Sequence, residues 1–221
     1  MTATAPPRAA GTPGATGEPS DDAFADRVAE DIAAAMGDFL VAVDRFVRPS
    51  FEAALLERWL PALGGPVARL SYGGQVADVG CGDGTTTVRL AGRFPLASVH
   101  GFDADAASVD VARLAARHAG VDARCRFSQA EPDEVPAGAW DVVLLSRLHD
   151  LPDPAGAARR ARRIVAADGV VVVVGPMGGA SLGATSGPVA TSQLLRAAGF
   201  GEVRTAAATP HHFVLAAHPP R

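Results

Sequence analysis

The chain has 221 residues, of which 48% are apolar and 20% charged, and its formal net charge is −4. That balance suits a globular domain with its own core, and it gives no basis for general binding to nucleic acid or to a membrane surface. Two cysteines, Cys81 and Cys125, without CxxC spacing or a His/Cys cluster, exclude a disulfide scaffold and a structural zinc site and fit a reducing, cytoplasmic setting.

Residues 1–20 contain no Leu, Ile, Val or aromatic residue and no apolar stretch of the secretory kind, so they read as a disordered tail. From Asp21 the pattern becomes helical. Phe24, Val28, Ile32, Met36, Phe39, Val43 and Phe46 recur at three- and four-residue steps and predict one amphipathic helix over 21–48. Asp21 or Asp22 is its expected N-cap. A helix this apolar on one face does not stand alone in water. It is expected to pack on its own domain or on the same helix of a second copy, as a homodimer. Pro49 interrupts it. A second helical stretch then carries Phe51, Leu55, Trp59 and Leu60 on one side, until Pro61, Gly64, Gly65 and Pro66 break it.

The remainder, within a domain spanning 49–221, alternates short apolar runs with helical stretches. Strands are predicted at Val76–Val79, Ala97–Phe102, Arg124–Gln129, Asp141–Ser146 and Val170–Val174. Helices are predicted near 85–93, 105–119 and 154–166. Such alternation implies parallel strands with crossover helices. A helix at 190–198 follows, and then two strands, Glu202–Ala206 and His212–Ala217, close enough to pair as an antiparallel hairpin. Arg159, Arg160, Arg162 and Arg163 share a helical stretch with Ala157, Ala158 and Ala161, which reads as a solvated, sheet-covering helix rather than a nucleic-acid patch. No charged side chain occurs from Gly169 to Leu195, but only Val170–Val174 is strongly apolar, too short for a membrane span of about 20 residues.

The sharpest local signal is VADVGCGDGTTT, Val76–Thr87. A strand carrying Asp78 runs into Gly80, Gly82 and Gly84 and opens a helix at Thr85. Glycines allow a tight turn and close ligand approach, and the helix start offers unpaired N–H groups. The string lacks the Lys of a phosphate P-loop, and Thr85 stands where a dinucleotide loop needs Gly or Ala. Gly179–Gly183 matches the hydrolase string GxSxG around Ser181, with Glu202 and His211 in triad order. Four residues separate it from the valine strand, whereas a nucleophile elbow follows its strand directly.

Taken with the later segments, Val76–Thr87 resembles motif I of class I S-adenosylmethionine-dependent methyltransferases. Ser98–Asp103 resembles the second strand of that family, Phe127–Glu131 the third, and Trp140–Ser146 the fourth. Leu148–Pro154 resembles the loop after the fourth strand, Arg163–Gly169 the approach to the fifth, and Leu194–Phe200 the step before the final hairpin. The resemblance runs from Gln75 to Pro219. It implies an α/β, Rossmann-like, doubly wound sheet in the order 3-2-1-4-5-7-6, mostly parallel, with a C-terminal antiparallel hairpin and helices on both faces. The helix over 21–48, the LHDLPDP loop and the ending Thr209–Leu215 also resemble a subgroup with an upstream winged-helix module. The gap between Phe46 and Leu56 is too short to hold that module.

The resemblance further implies S-adenosyl-L-methionine as cofactor, with Asp78, Gly80, Cys81, Gly82, Gly84, Asp103, Ala104, Ala130, Glu131 and Ser146 around it. Asp103 would hold the ribose hydroxyls, and Glu131 with a neighbouring backbone N–H would meet the adenine edge. Asp103 lies about 20 residues beyond the glycines, a distance suited to a ribose-binding acid, whereas Asp105 sits where the next helix needs a cap. His149, beside Asp150, stands where a general base would act if the acceptor is protonated; the alternative for it is a structural or exposed histidine. No metal is expected. The partner expected is a small-molecule methyl acceptor of unidentified kind, with no nucleic acid and no membrane. The alternative is a cofactor-binding regulatory or scaffold protein with little turnover, because the segment from Gly175 to Pro188 is short for a substrate lid. A nicotinamide dehydrogenase is disfavoured by Thr85.

Overall fold

The computed structural model describes residues 54–146, 148–176, 187–209 and 212–220, all within the unit Ser50–Arg221. The tail and helix expected over 1–48, Phe51, the GxSxG string and His211 lie outside the described residues. Seven strands form one sheet: β1 (Gln75–Val79), β2 (Ser98–Asp103), β3 (Cys125–Gln129), β4 (Trp140–Ser146), β5 (Val165–Pro176), β6 (Glu202–Ala208) and β7 (His212–His218). Their order is β3-β2-β1-β4-β5-β7-β6. The first five pair with one another in parallel, and β7 lies antiparallel between β5 and β6. This is the doubly wound sheet the resemblance implied. Its strand order reverses between β1 and β4, the switch point at which ligands of such sheets bind.

Helices α1 (Gly65–Arg69), α2 (Thr85–Arg93), α3 (Ala106–His118), α4 (Pro154–Ile164) and α5 (Pro188–Ala197) cover the sheet in two layers. One core joins Leu55, Leu60, Val67 and Leu70 with Leu90 of α2 and Ala112 of α3. The other joins Ala157, Ala158, Ala161 and Ile164 of α4 with Leu195 of α5. The valine run of β5 feeds both, with Val170, Val172 and Val174 in the first core and Val171 and Val173 in the second. That two-sided burial explains why an unbroken apolar run, without alternation, is a central strand here. The arginines of α4 stay outside its alanine face, and Arg160 Nε donates to Val135 O at 2.9 Å, tying down the loop after β3.

Two local readings change. The stretch before β1 is a single π-helical turn (Leu55–Trp59), two 3-10 turns (Pro61–Leu63 and Leu70–Tyr72) and the short α1, because its Pro and Gly residues stop each turn before it can propagate. In addition, α4 ends at Ile164 and β5 begins at Val165, where a helix to 166 and a strand from 170 were expected. Trp140 pairs with Val165 but Val142 pairs with Val170, so β5 makes an excursion between them. Gly169 permits it, since a Cβ there would lie 2.9 Å from both Trp140 O and Asp141 O. Arg69 holds the excursion by pairing with Asp168 and, at 2.8 Å, with Asp141.

Two glycines test this packing. Gly169→Ala forces a Cβ against backbone that has no room to move, and is expected to cost about 1–3 kcal/mol, lowering Tm by roughly 2–10 °C. Gly92 lies in α2 with nothing within 4 Å of a Cβ. Gly92→Ala is expected to stabilise by about 0.5–1 kcal/mol. Urea and thermal unfolding of both variants check the contrast.

Candidate functional site

Strand parity builds the site from the end of β1. Val76 and Asp78 face the layer of α2 and α3, and Ala77 and Val79 face the opposite core. Asp78 is 1% exposed. Its Oδ2 accepts a hydrogen bond from Thr87 Oγ1 of α2 at 2.6 Å, while its Oδ1 has no partner among the described residues. Burial pushes the carboxyl up to about 6, the Thr87 bond pulls it down, and the nearby Asp103 adds to the rise. A buried carboxylate with an open acceptor is costly unless a donor or a cation meets it.

Beyond Val79 the chain turns sharply. Gly80 and Cys81 both donate their N–H to Phe102 O, at 2.8 and 3.1 Å. Gly80, Gly82 and Gly84 have φ of 75°, 53° and 74°. The last two serve different ends. A Cβ on Gly84 would lie 2.6 Å from Ala112 Cβ, so its bareness lets α2 close on α3. A Cβ on Gly82 would meet nothing within 4 Å, so Gly82 presents bare backbone to open space.

Gly82 N–H donates to Asp103 Oδ2 at 2.7 Å, and Asp105 N–H donates to Asp103 Oδ1 at 3.0 Å. Each oxygen keeps a second lone pair for a ligand. Asp105 instead caps α3, accepting from Ala107 N at 3.3 Å and Ser108 N at 3.0 Å. Asp83 Oδ1 accepts from Thr85 N at 3.1 Å and Thr85 Oγ1 at 2.8 Å. A carboxylate therefore already occupies the start of α2, where a phosphate-binding loop would seat its phosphate. The loop disfavours a second anion there.

The rim continues over β2 and β3. Ala130 N–H donates to Asp103 O at 2.9 Å, and Gln129 Nε2 donates to Ala104 O at 3.0 Å. Glu131 N–H donates to Glu134 Oε2 at 2.9 Å, and the Glu131 side chain is exposed. The backbone N–H groups of Ala130 and Glu131 are thus engaged within the chain, and a ring at this loop has to displace the exposed Glu134. At the end of β4, Ser146 O lies 3.8 Å from a Cβ built on Gly80, and Leu151 Cδ2 lies 3.9 Å from it. The turn Leu148–Asp150 therefore sits beside the glycine loop. In it, half-buried His149 brings Nε2 to 2.7 Å from Thr191 Oγ1 on α5. Burial lowers the imidazole's affinity for a proton, and Asp150 opposes that. Cys81 is no nucleophile, since burial, with Asp78 and Asp103 nearby, holds its thiol protonated.

The ten residues expected around a cofactor thus line the carboxyl ends of β1 to β4, at the switch point. Residues 76–169 match the family model described as a methyltransferase domain. Over this segment the chain is similar to methyltransferase domains. Solved structures share its fold. The methyltransferase SibL is 22% identical with a TM-score of 0.61, over 83% of this chain and 58% of that one. A geranyl diphosphate methyltransferase in complex with SAM is 17% identical with a TM-score of 0.60, over 76% of this chain and 85% of that one. The [4+2]-cyclase SpnF is 18% identical with a TM-score of 0.59, over 70% of this chain and 82% of that one. The chain therefore spans little more than half of the first relative. The cyclase makes plain that this fold hosts more than one chemistry.

Sequence reasoning did not single out Thr87, Asp83, Glu134 or Thr191. Thr85-Thr86-Thr87 offers three equal hydroxyls, and only the phase of α2 against β1 selects the third. The Asp83–Thr85 turn was legible, because an Asp two residues before a helical N–H is a common local bond. Among the described residues no group of three or more His, Cys, Asp or Glu is placed to hold a metal ion, and no helix is long and apolar enough to cross a membrane.

Asp78 gives a pH prediction with a definite sign. Its carboxyl is raised in the fold, so the folded chain holds a proton that the unfolded chain releases from about pH 4 upward. Stability is expected to fall as pH rises from about 4 to 6, by about 3 kcal/mol from this group. Asp78→Asn should flatten that slope and be the more stable protein at pH 8. Urea midpoints at pH 5 and pH 8 measure both effects.

Proposed function

We propose that the chain binds S-adenosylmethionine in the crevice at the ends of β1 to β4 and transfers its methyl group to a small-molecule acceptor. The observation that carries the reading is the pairing of two acids around one bare glycine. Buried Asp78 keeps an unpartnered oxygen, and Asp103 holds the Gly82 N–H with lone pairs to spare. That donor and acceptor set fits a ligand that brings positive charge and a ribose diol, and Asp83 at the start of α2 weighs against a pyrophosphate. When bound, S-adenosylmethionine supplies a methyl group already activated on a sulfonium. The chain's own task is to hold the acceptor in line and exclude water, since alignment supplies much of the rate. His149, next to the glycine loop, is the group to take a proton from the acceptor.

Titration calorimetry with S-adenosylmethionine and its demethylated product, with NAD as control, tests the binding. No heat from either sulfur nucleotide at millimolar concentration overturns the reading. Labelled methyl transfer into a panel of small phenols and carboxylic acids tests turnover. Asp103→Ala is expected to remove two charge-assisted bonds of about 1.5–3 kcal/mol each, partly offset by water. The net loss should weaken binding by roughly 30- to 200-fold. Asp105→Ala removes only a helix cap, so affinity should change by less than about threefold while stability drops by about 1 kcal/mol. Equal damage from both variants, each still folded by circular dichroism, would show the ribose acid to be misassigned.

A further inference from the structure

We propose that Thr191 is a positioning residue that fixes His149 as the tautomer with hydrogen on Nε2, leaving Nδ1 as the atom that takes a proton from the methyl acceptor. The inference rests on the methyl-transfer reading above and adds to it a side chain from α5, outside the segment 76–169.

The argument is a count of hydrogens. Thr191 is 0% exposed. Its Oγ1 stands 2.9 Å from Gly187 O and 2.7 Å from His149 Nε2. A carbonyl oxygen can only accept, so the single hydroxyl proton serves Gly187 O. The remaining bond needs a donor, and Nε2–H is the group at hand. The opposite tautomer would turn the hydroxyl proton toward Nε2 and forfeit the bond to Gly187 O, making one bond where the first arrangement makes two. In a fully buried hydroxyl that difference decides the state. Gly187 is the N-cap of α5, and its carbonyl also receives Thr191 N–H at 3.0 Å. The hydroxyl is therefore anchored at the first turn of a helix. Among the described residues Nδ1 has no hydrogen-bond partner, which leaves its lone pair available.

A base oriented by a third group is a recurrent arrangement, and here the orienting group is neutral. As the acceptor oxygen bonds to the methyl carbon, the carbon–sulfur bond breaks and its electron pair stays on sulfur as a neutral thioether. The acceptor's proton passes to Nδ1, and water takes it once product has left. Thr191 keeps Nε2–H occupied throughout, so the ring cannot present its protonated nitrogen to the acceptor.

Long-range proton–nitrogen NMR of the full chain with labelled histidine tests the proposal without any acceptor. The His149 signals are assigned by their loss in His149→Gln. At pH 8 the wild-type ring should show its hydrogen on Nε2 as a single tautomer. Thr191→Val, of the same shape, should give a mixture of tautomers, and Thr191→Ser should restore the single one. Where the phenol panel yields product, Thr191→Val should lower kcat by roughly 10- to 100-fold, within the range of a positioned base, with KM for the cofactor unchanged. Hydrogen on Nδ1 in the wild type, or a ring indifferent to Thr191→Val, overturns the proposal. Undiminished methyl transfer by His149→Gln overturns the base role alone, and calorimetry without heat overturns the methyl-transfer reading instead.

Discussion

The site depends on one turn, the exit of the chain from β1. Phe102 O receives two successive N–H groups, from Gly80 and Cys81, and Asp103 Oδ2 receives the next, from Gly82. Three bonds to neighbouring residues of β2 thus pin the loop to the adjacent strand. Side chains at Gly80 and Gly82 would have to adopt left-handed backbone, and a Cβ on Gly84 would drive α2 away from α3. With the loop pinned, the phase of α2 is set. Thr87 then meets Asp78, and the bare face of Gly82 is left beside both acids.

Charge is arranged around that turn with one sign. Asp78 is buried with an oxygen to spare, Asp103 sits at the rim, and Asp83 fills the start of α2. Burial and mutual repulsion make Asp78 costly as an anion. Such a cluster is hostile to phosphates and receptive to a cation. The cost in stability and the receptivity to a positively charged ligand have the same origin, the desolvation of one carboxylate.

The fold itself does not choose the chemistry, as a cyclase among its structural relatives makes clear. What this chain adds lies in the side chains above the crevice. Beyond the segment 76–169, α5 contributes Thr191, which reaches back to His149 in the turn after β4. That contact joins residues 42 apart in the chain. It places an imidazole beside the glycine loop.

Several features were legible in the sequence because their causes are local. Strands and helices follow from the alternation of apolar runs with periodic stretches, and the loop from three glycines in five residues. The cap role of Asp105 follows from its place two residues beyond a strand. Even the buried valine strand was readable, since only a strand covered on both faces tolerates five valines in a row. Tertiary structure alone decided the rest, because those features depend on groups far apart in sequence. The excursion in β5 exists because Gly169 slides under the carbonyls of Trp140 and Asp141 while Arg69 holds Asp168. The choice of Thr87 among three threonines and the approach of His149 to Thr191 are likewise set by distances. A sequence fixes which donors and acceptors exist, but only packing determines which of them meet.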